Sequence, residues 1–183
     1  MGVSNRPVLV YSGGIAGWQR IEDIMGLFLH LKQRIEDLFM LFLTHEPFVL
    51  KGMIGNRARP DDVLVIQAPH REVSGYLCAA DVGVLMREDR LTNHVAAPIK
   101  FSEYMCSGLP CIVSDRVGDT AEVIRRGNAG IVLDSQNRFP TLSEFQGLLS
   151  LNREEISKSM KEKYSSEVYL PQLLKLYEGL NAG

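Results

Sequence analysis

Cysteine, tryptophan, long apolar runs and charge of one sign are all scarce in this chain. Only three cysteines, Cys78, Cys106 and Cys111, occur among its 183 residues. An odd count in a chain of this size argues against the disulfide framework of a small secreted domain. Cys106 and Cys111 do not have the spacing of a two-residue CxxC knuckle, and no further ligand cluster accompanies them, so no metal site is expected. Each cysteine sits in an apolar segment and is expected to be buried and reduced. The longest apolar run is the six residues Leu38 to Leu43, far short of the ~20 needed to cross a bilayer, so no transmembrane segment is expected. The 20 Lys and Arg against 22 Asp and Glu leave a net charge of −2. That balance supplies no basic footprint for nucleic acid, which is not expected as a partner. The opening residues run straight into Pro7-Val-Leu-Val-Tyr11 without a basic-then-apolar leader, and a cytoplasmic protein is expected.

What is present describes an ordinary globular domain. With 45% hydrophobic and 23% charged residues, disorder and collagen-like repetition are excluded, and the length suits one domain with its own core. Short β-rich runs fall at Val8–Ser12, Leu38–Leu43, Val63–Gln67, Val82–Met86, Leu109–Ser114 and Gly130–Leu133. They are nearly continuous in apolar residues, the pattern of strands covered on both faces. Helical stretches lie between them. Ile21, Ile24, Met25, Phe28, Leu31 and Ile35 recur at spacings of three and four, which places them on one helix face. A second helix is predicted over Pro98–Cys106, stopped by Ser107-Gly108-Leu109-Pro110, where glycine takes the cap and proline forbids continuation.

Strands alternating with helices predict a doubly wound, Rossmann-like three-layer α/β domain with about six parallel strands and a C-terminal helical tail. The expected core covers about residues 7–134 and the tail about 141–180. In that tail helices are predicted over Leu142–Leu149, Glu154–Tyr164 and Glu167–Leu180, and the polar stretch Asn152–Lys163 reads as a solvated connector. Tyr169, Leu170, Leu173, Leu174, Tyr177 and Leu180 fall on one side of the last helix, which either closes the domain's own sheet or reaches to a partner.

Ligands of parallel α/β sheets gather beyond the carboxyl ends of the strands, and three segments fall there. Tyr11-Ser-Gly13-Gly14-Ile-Ala-Gly17-Trp18-Gln19-Arg20 follows the first strand. Its glycines allow close backbone approach and the next helix offers free amides, a physical anion site. A plain tight strand–helix turn fits the same residues, and neither a Walker loop nor a full GxGxxG is present. After the third strand comes Ala68-Pro-His70-Arg-Glu-Val73, where backbone, Val73 and His70 could line a planar base; His70 as a simple helix cap fits equally. The third segment runs from Arg90 through Val95-Ala96-Ala97-Pro98-Ile-Lys100 to Glu103. Helix-start amides at Ala96 and Ala97 and the charge of Lys100 favour an anion. Glu103, one turn deeper on the same face, is placed to accept two hydroxyl hydrogen bonds. A surface Lys–Glu pair is the alternative.

Several motifs in one order decide among these readings. Pro98-x-Lys100-x-x-Glu103-Tyr-Met-x-x-Gly108-Leu-Pro110-x-Ile112, followed by Gly118-Asp119-x-x-Glu122-Val-Ile124 and Gly130-Ile-Val132, resembles the donor half of GT-B glycosyltransferases, above all the retaining family 4, glycosyltransferase group 1. The opening Tyr11-Ser-Gly-Gly-x-x-x-Trp-Gln and the segment His70-Arg-Glu-Val-x-x-Tyr-Leu-x-x-Ala80-Asp81-Val are similar to the same family's first loop and base-side segment. The tail from Tyr164 to Leu180 resembles its closing helix.

The resemblance implies a single nucleotide-sugar donor-binding domain over residues 1–183, with the acceptor domain that normally precedes it absent from the chain. Gly13, Gly14 and Arg20 would face the diphosphate with Lys100 in support, and Ala96 and Ala97 would contact sugar or phosphate. Glu103 would hold the ribose, and His70 and Val73 would flank the base. A hexosyl-type transfer without cofactor or metal is implied, acting in polysaccharide biosynthesis in the cytoplasm or at the inner face of the membrane. Membrane association would be peripheral, through the absent half. Alone, this half is expected to be inactive or weakly active. The chain departs from the family at three positions. Val95 stands eight residues before Glu103, where a second glutamate is usual, and Gly14 and Gln19 replace an arginine and a lysine of the first loop. The alternatives are a dinucleotide-binding or regulatory α/β module, or half of a GT-B sugar-nucleotide epimerase. Strand one lacks the acidic pair of a receiver, and Leu43-Thr-His-Glu46 ends strand two with only a nearby acid for a nicotinamide fold.

Overall fold

A computed structural model describes residues 5–133 and 139–181. Asp134, at the end of the expected core, lies outside the described residues. Six strands, β1 (Val8–Ser12), β2 (Phe39–Leu43), β3 (Val63–Ile66), β4 (Val82–Leu85), β5 (Cys111–Ser114) and β6 (Gly130–Leu133), form one sheet in the order β3-β2-β1-β4-β5-β6. Every neighbouring pair is parallel. The sequence is thus a doubly wound α/β domain, as its unbroken apolar strands require.

Alternation along β1 shows how both faces become buried. Leu9 and Tyr11 point into one core with α1 (Ile21–Lys32), α2 (Pro47–Ile54) and α7 (Leu142–Leu149), through Ile24, Phe28, Leu50, Phe145 and Leu148. Val8 and Val10 point into the other, with α3 (His70–Cys78), α5 (Ile99–Cys106), α6 (Thr120–Gly127) and α8 (Arg153–Tyr164). A fully buried aliphatic or aromatic side chain contributes about 1.5–3 kcal/mol, so these two layers dominate the stability. In α1 the acids Glu22 and Asp23 occupy the first turn and His30 and Lys32 the last, in keeping with the helix dipole.

Several expectations change. The segment Ala68–Leu77 is not an open loop: nearly all of it forms α3, with Pro69 at the N-cap. The polar stretch before α5 contains a helical turn, α4 (Leu91–His94), and Pro98 is the N-cap of α5 and not its first residue. The helix predicted over Glu154–Tyr164 is present as α8, but Asn152–Lys163 is not a solvated connector: α8 packs on α5, with Ile156 and Met160, four apart, buried, and the Ser157 hydroxyl donates to the Cys106 carbonyl at 2.6 Å. Gly108 makes this approach possible, because a Cβ there would lie 2.4 Å from the Arg153 carbonyl oxygen and its φ is +74°. The last helix, α9 (Ser166–Asn181), leaves Tyr169, Leu170, Leu173, Leu174 and Tyr177 exposed; the side chain of Leu180 lies outside the description. Of the cysteines, Cys111 is buried, Cys106 half-buried and Cys78 exposed, all three free. Burial of Cys78 was expected because Tyr76-Leu-Cys-Ala-Ala80 is apolar, but α3 turns only Leu77 fully inward. Among the described residues no helix is long and apolar enough to cross a membrane.

Candidate functional site

Chain-distant segments converge where β1, β2 and β3 end. A cleft of about 220 Å³ is lined by Ser12 and Gly13 at the end of β1, Leu43, Thr44 and His45 at the end of β2, Ala68, His70 and Val73 after β3, and Lys100 and Glu103 of α5. It occupies the carboxyl edge of the sheet, where parallel α/β domains bind ligands. A larger groove of about 530 Å³ runs between α6 and α8, lined by charges of both signs including Glu122, Arg126, Glu155 and Lys163, and lies apart from these strand ends.

The first loop is built for close approach. Gly13 has φ +142° and donates its N–H to the Leu43 carbonyl at 2.8 Å; a Cβ there would sit 2.5 Å from the Lys100 Nζ. The Tyr11 hydroxyl donates to the Gly14 carbonyl at 2.5 Å and accepts from Lys100 Nζ at 3.1 Å. Burial pushes the Tyr11 phenol well above its ordinary range, with the Arg87 charge opposing, so it stays protonated. From below, Ser12 N–H donates to the Tyr104 hydroxyl at 2.6 Å. Tyr104 packs flat enough against β4 that a Cβ on Gly83 would lie 2.6 Å from its ring.

Lys100 is the central charge. Its ammonium donates to Gln19 Oε1 at 3.0 Å and lies 4.2 Å from the Tyr11 ring centroid. Burial, reinforced by the Arg87 charge and partly offset by Glu103, brings its pKa down to about 7. No carboxylate pairs with it among the described residues: its partners are a phenol and an amide. Among the described residues Glu103, one turn on, makes no ion pair and no side-chain hydrogen bond, and it lines the cleft. The site therefore offers one cation, one carboxylate acceptor, a glycine approach and an apolar wall at Val73.

Of the residues singled out in the sequence, Gly13, Lys100, Glu103, His70 and Val73 meet in this cleft. Four others do not line it. Gly14 uses its carbonyl on Tyr11. Arg20, in the left-handed region at φ 49°, turns its Nε to Asp23 Oδ2 at 2.6 Å. Ala96 and Ala97 precede the start of α5, and the Ala96 amide is taken by the Asn93 carbonyl at 3.3 Å. Thr44 and His45 also line the cleft; in the sequence only their position directly after β2 signals them. Gln19, at a position expected to contact the diphosphate, is buried and holds Lys100 instead. Among the described residues no three His, Cys, Asp or Glu side chains converge as metal ligands.

A model of the family "Glycosyl transferases group 1" matches residues 3–163. Among solved structures the chain is similar to WaaG, a glycosyltransferase involved in lipopolysaccharide biosynthesis, with TM-score 0.67 and 16% identity over 87% of this chain and 44% of that one. It is similar to Anabaena Alr3699/HepE in complex with UDP-glucose, with TM-score 0.72 and 13% identity over 97% and 50%. It is also similar to a glycosyltransferase from Rickettsia africae ESF-5, with TM-score 0.73 and 14% identity over 96% and 48%. At such identities the likeness concerns the fold, and the chain spans half or less of each of these proteins. None of the curated proteins matches it.

Proposed function

The chain belongs to the glycosyl transferases group 1 family, and from that premise we propose that it is the nucleotide-sugar donor-binding half of a retaining, hexosyl-type glycosyltransferase. The acceptor would be a glycan or a lipid-linked sugar in polysaccharide biosynthesis, held by a preceding domain that this chain does not contain. One observation carries the reading: Gly13, Lys100, Glu103, His70 and Val73, drawn from three separate segments, line one cleft at the carboxyl edge of the sheet. The complex of a similar structure with UDP-glucose, and that of TarM with UDP, favour a nucleoside diphosphate as the ligand class.

In this reading the diphosphate lies against Gly13, where the missing side chain lets phosphate oxygens approach the backbone. The ribose hydroxyls donate to the Glu103 carboxylate, and the base rests between His70 and Val73 with Thr44 and His45 at its edge. Transfer breaks the bond between the anomeric carbon and the diphosphate oxygen, and negative charge grows on the leaving group. Lys100, fixed by Gln19 and Tyr11, stabilises that charge as it develops, the usual way a preorganised cation lowers such a barrier. Placed there, it takes the part a divalent ion plays elsewhere, so activity is expected without added metal. Spanning half or less of the proteins it resembles, the chain by itself is expected to bind donor and transfer little. Its place is the cytoplasm, at the inner face of the membrane when the acceptor is lipid-linked.

Calorimetric titration with UDP, GDP, ADP, their sugar conjugates and NAD tests the reading. Saturable binding of one nucleoside diphosphate, weakened at least about tenfold in Glu103→Ala, is expected, since a charge-assisted hydrogen bond contributes about 1.5–3 kcal/mol. Binding of NAD alone would overturn it in favour of a dinucleotide module.

A further inference from the structure

Four arginines stand in the loops that follow β1, β4 and β5 at the carboxyl edge of the sheet. Three are neutralised. Arg20 pairs with Asp23 at 2.6 Å, Arg90 with Glu88 and Arg116 with Asp89 at 3.1 Å. Arg87 has no carboxylate partner among the described residues. Its guanidinium carbon lies 4.7 Å from the centroid of the Trp18 ring, Nη1 reaches Asn93 Oδ1 only at 3.5 Å, and Nε is buried with no hydrogen-bond partner. A buried N–H of a charged group left unmade costs more than a neutral one, so this nitrogen is maintained against a penalty.

Its location gives that penalty a use. β1 and β4 are neighbours in the sheet, and the chain leaves β1 toward β2 on one side while β4 continues to β5 on the other. This is the switch point of the fold, where the loops part and leave a crevice. The loop from β1 carries Trp18 and Gln19 into it; the loop from β4 carries Arg87. Gln19 binds Lys100 while Trp18 binds Arg87, so one short turn, Gly17–Gln19, holds both unneutralised cations. Burial and the Arg87 charge lower Lys100 while Glu103 raises it, so an anion beside both cations would offset their repulsion. Such a pair is strained until an anion arrives. A diphosphate carries several negative charges, and Lys100 alone, beside the Glu103 carboxylate, does not balance them.

We propose that Arg87, carried on the face of Trp18, is the second cation that binds the leaving diphosphate. This rests on the donor-site reading above and extends it to a residue outside the cleft's immediate lining. With the guanidinium over the ring and Nη1 at Asn93, Nη2 is left without a partner among the described residues, the kind of charged N–H with which arginine binds phosphate oxygens. Trp18 is the only tryptophan of the chain, so its emission reports directly on the stacked guanidinium.

The test titrates the 183-residue chain, Arg87→Gln and Arg87→Lys with UDP, GDP and ADP and with the matching monophosphates, by calorimetry and by tryptophan emission. Expected in Arg87→Gln is a loss of about 10- to 30-fold for the bound diphosphate, the scale of a charged hydrogen bond, with a smaller loss for its monophosphate. Arg87→Lys should recover part of the loss. Wild-type emission should change on diphosphate binding, and that change should vanish in Arg87→Gln. Equal losses for diphosphate and monophosphate would make Arg87 structural and overturn the proposal, as would an unchanged diphosphate affinity or a wild-type emission indifferent to diphosphate. If the wild-type chain binds none of the nucleotides, the donor-site reading falls first and the assignment of Arg87 with it.

Discussion

Two partly buried lysines show how differently one fold treats the same charge. Lys32, at the end of α1, pairs with Asp62 Oδ1 at 2.8 Å and donates to the Leu38 carbonyl at 3.1 Å. Arg6 reaches the same carboxylate at 2.7 Å. Burial would raise the Asp62 carboxyl, but the hydrogen bonds from Lys32 and Arg6 outweigh it and hold the pKa below its ordinary value. Lys100, at the opposite edge of the sheet, has only a phenol and an amide for partners. The first lysine completes a satisfied network that ties β3 to α1. The second is held ready for a charge the chain does not contain. A buried cation without a counter-ion is a cost to folding, and in the proposed donor site a bound diphosphate would offset that cost.

Exchanging the two roles gives the largest effect. Lys100→Met should abolish measurable nucleoside-diphosphate binding, a loss of at least about 100-fold when a charged contact to phosphate disappears, while the melting temperature stays level or rises because an uncompensated buried charge is gone. Lys32→Met should do the reverse, leaving binding intact and lowering stability by about 1–3 kcal/mol as Asp62 loses a partner. A fall in melting temperature for Lys100→Met would break the comparison. Gly13→Ala is next. Strain at φ +142° and the collision with Lys100 Nζ should cost about 1–3 kcal/mol of stability and, by displacing the ammonium, about tenfold or more in diphosphate affinity; denaturant melts and calorimetry measure the two.

The pH dependence sharpens the same contrast. With the Lys100 pKa near about 7 in the free protein and higher once an anion binds, binding takes up a proton. Affinity should be level below pH 7 and fall by up to about tenfold per pH unit above it, while Lys100→Gln shows no such slope. Stability runs the other way. Between pH 7 and the ordinary lysine pKa near about 10.4 the unfolded chain binds the extra proton, so the folded state gains stability as pH rises, and any stabilisation by Lys100→Met should shrink across that window. The smallest effects belong to the tail. Met160→Ala in packed α8 should cost about 2–3 kcal/mol, whereas Leu173→Ala on exposed α9 should change stability by less than about 0.5 kcal/mol, both read from chemical denaturation.

Much of the strand framework was legible before any coordinates, because a strand buried on both faces must be apolar at every position. Val8–Ser12 and Gly130–Leu133 agree with the observed β1 and β6 residue for residue. The helices of mixed composition were harder. The helix α8 was predicted but its burial was not: among the described side chains only Ile156 and Met160 of α8 reach the core, too few to stand out among Arg153, Glu154, Glu155, Lys158, Lys161, Glu162 and Lys163, and its packing depends on Gly108 of a different element. In α3, Pro69 and the polar His70-Arg-Glu read as loop, although proline is at home at a helix start.

The cleft divides along the same line. Lys100 and Glu103 stand three apart on one predicted helix, and Gly13 lies in a glycine turn after a predicted strand, so local spacing alone was enough to nominate them. Ala96 and Ala97 were nominated as helix-start amides, but the helix begins at Ile99 and Asn93 takes the Ala96 amide, a competition no spacing rule displays. Arg20 and Arg87 look alike as letters. One turns back to Asp23 and the other lies over Trp18, 69 positions away in the chain, brought there because β1 and β4 are adjacent in the sheet. The pattern of apolar residues by itself determined the layered fold and the edge at which its site lies, since periodicity and turn chemistry are local. Which cations stay unpaired at that edge was decided only by the tertiary structure, since pairing depends on the strand order that sets distant loops side by side.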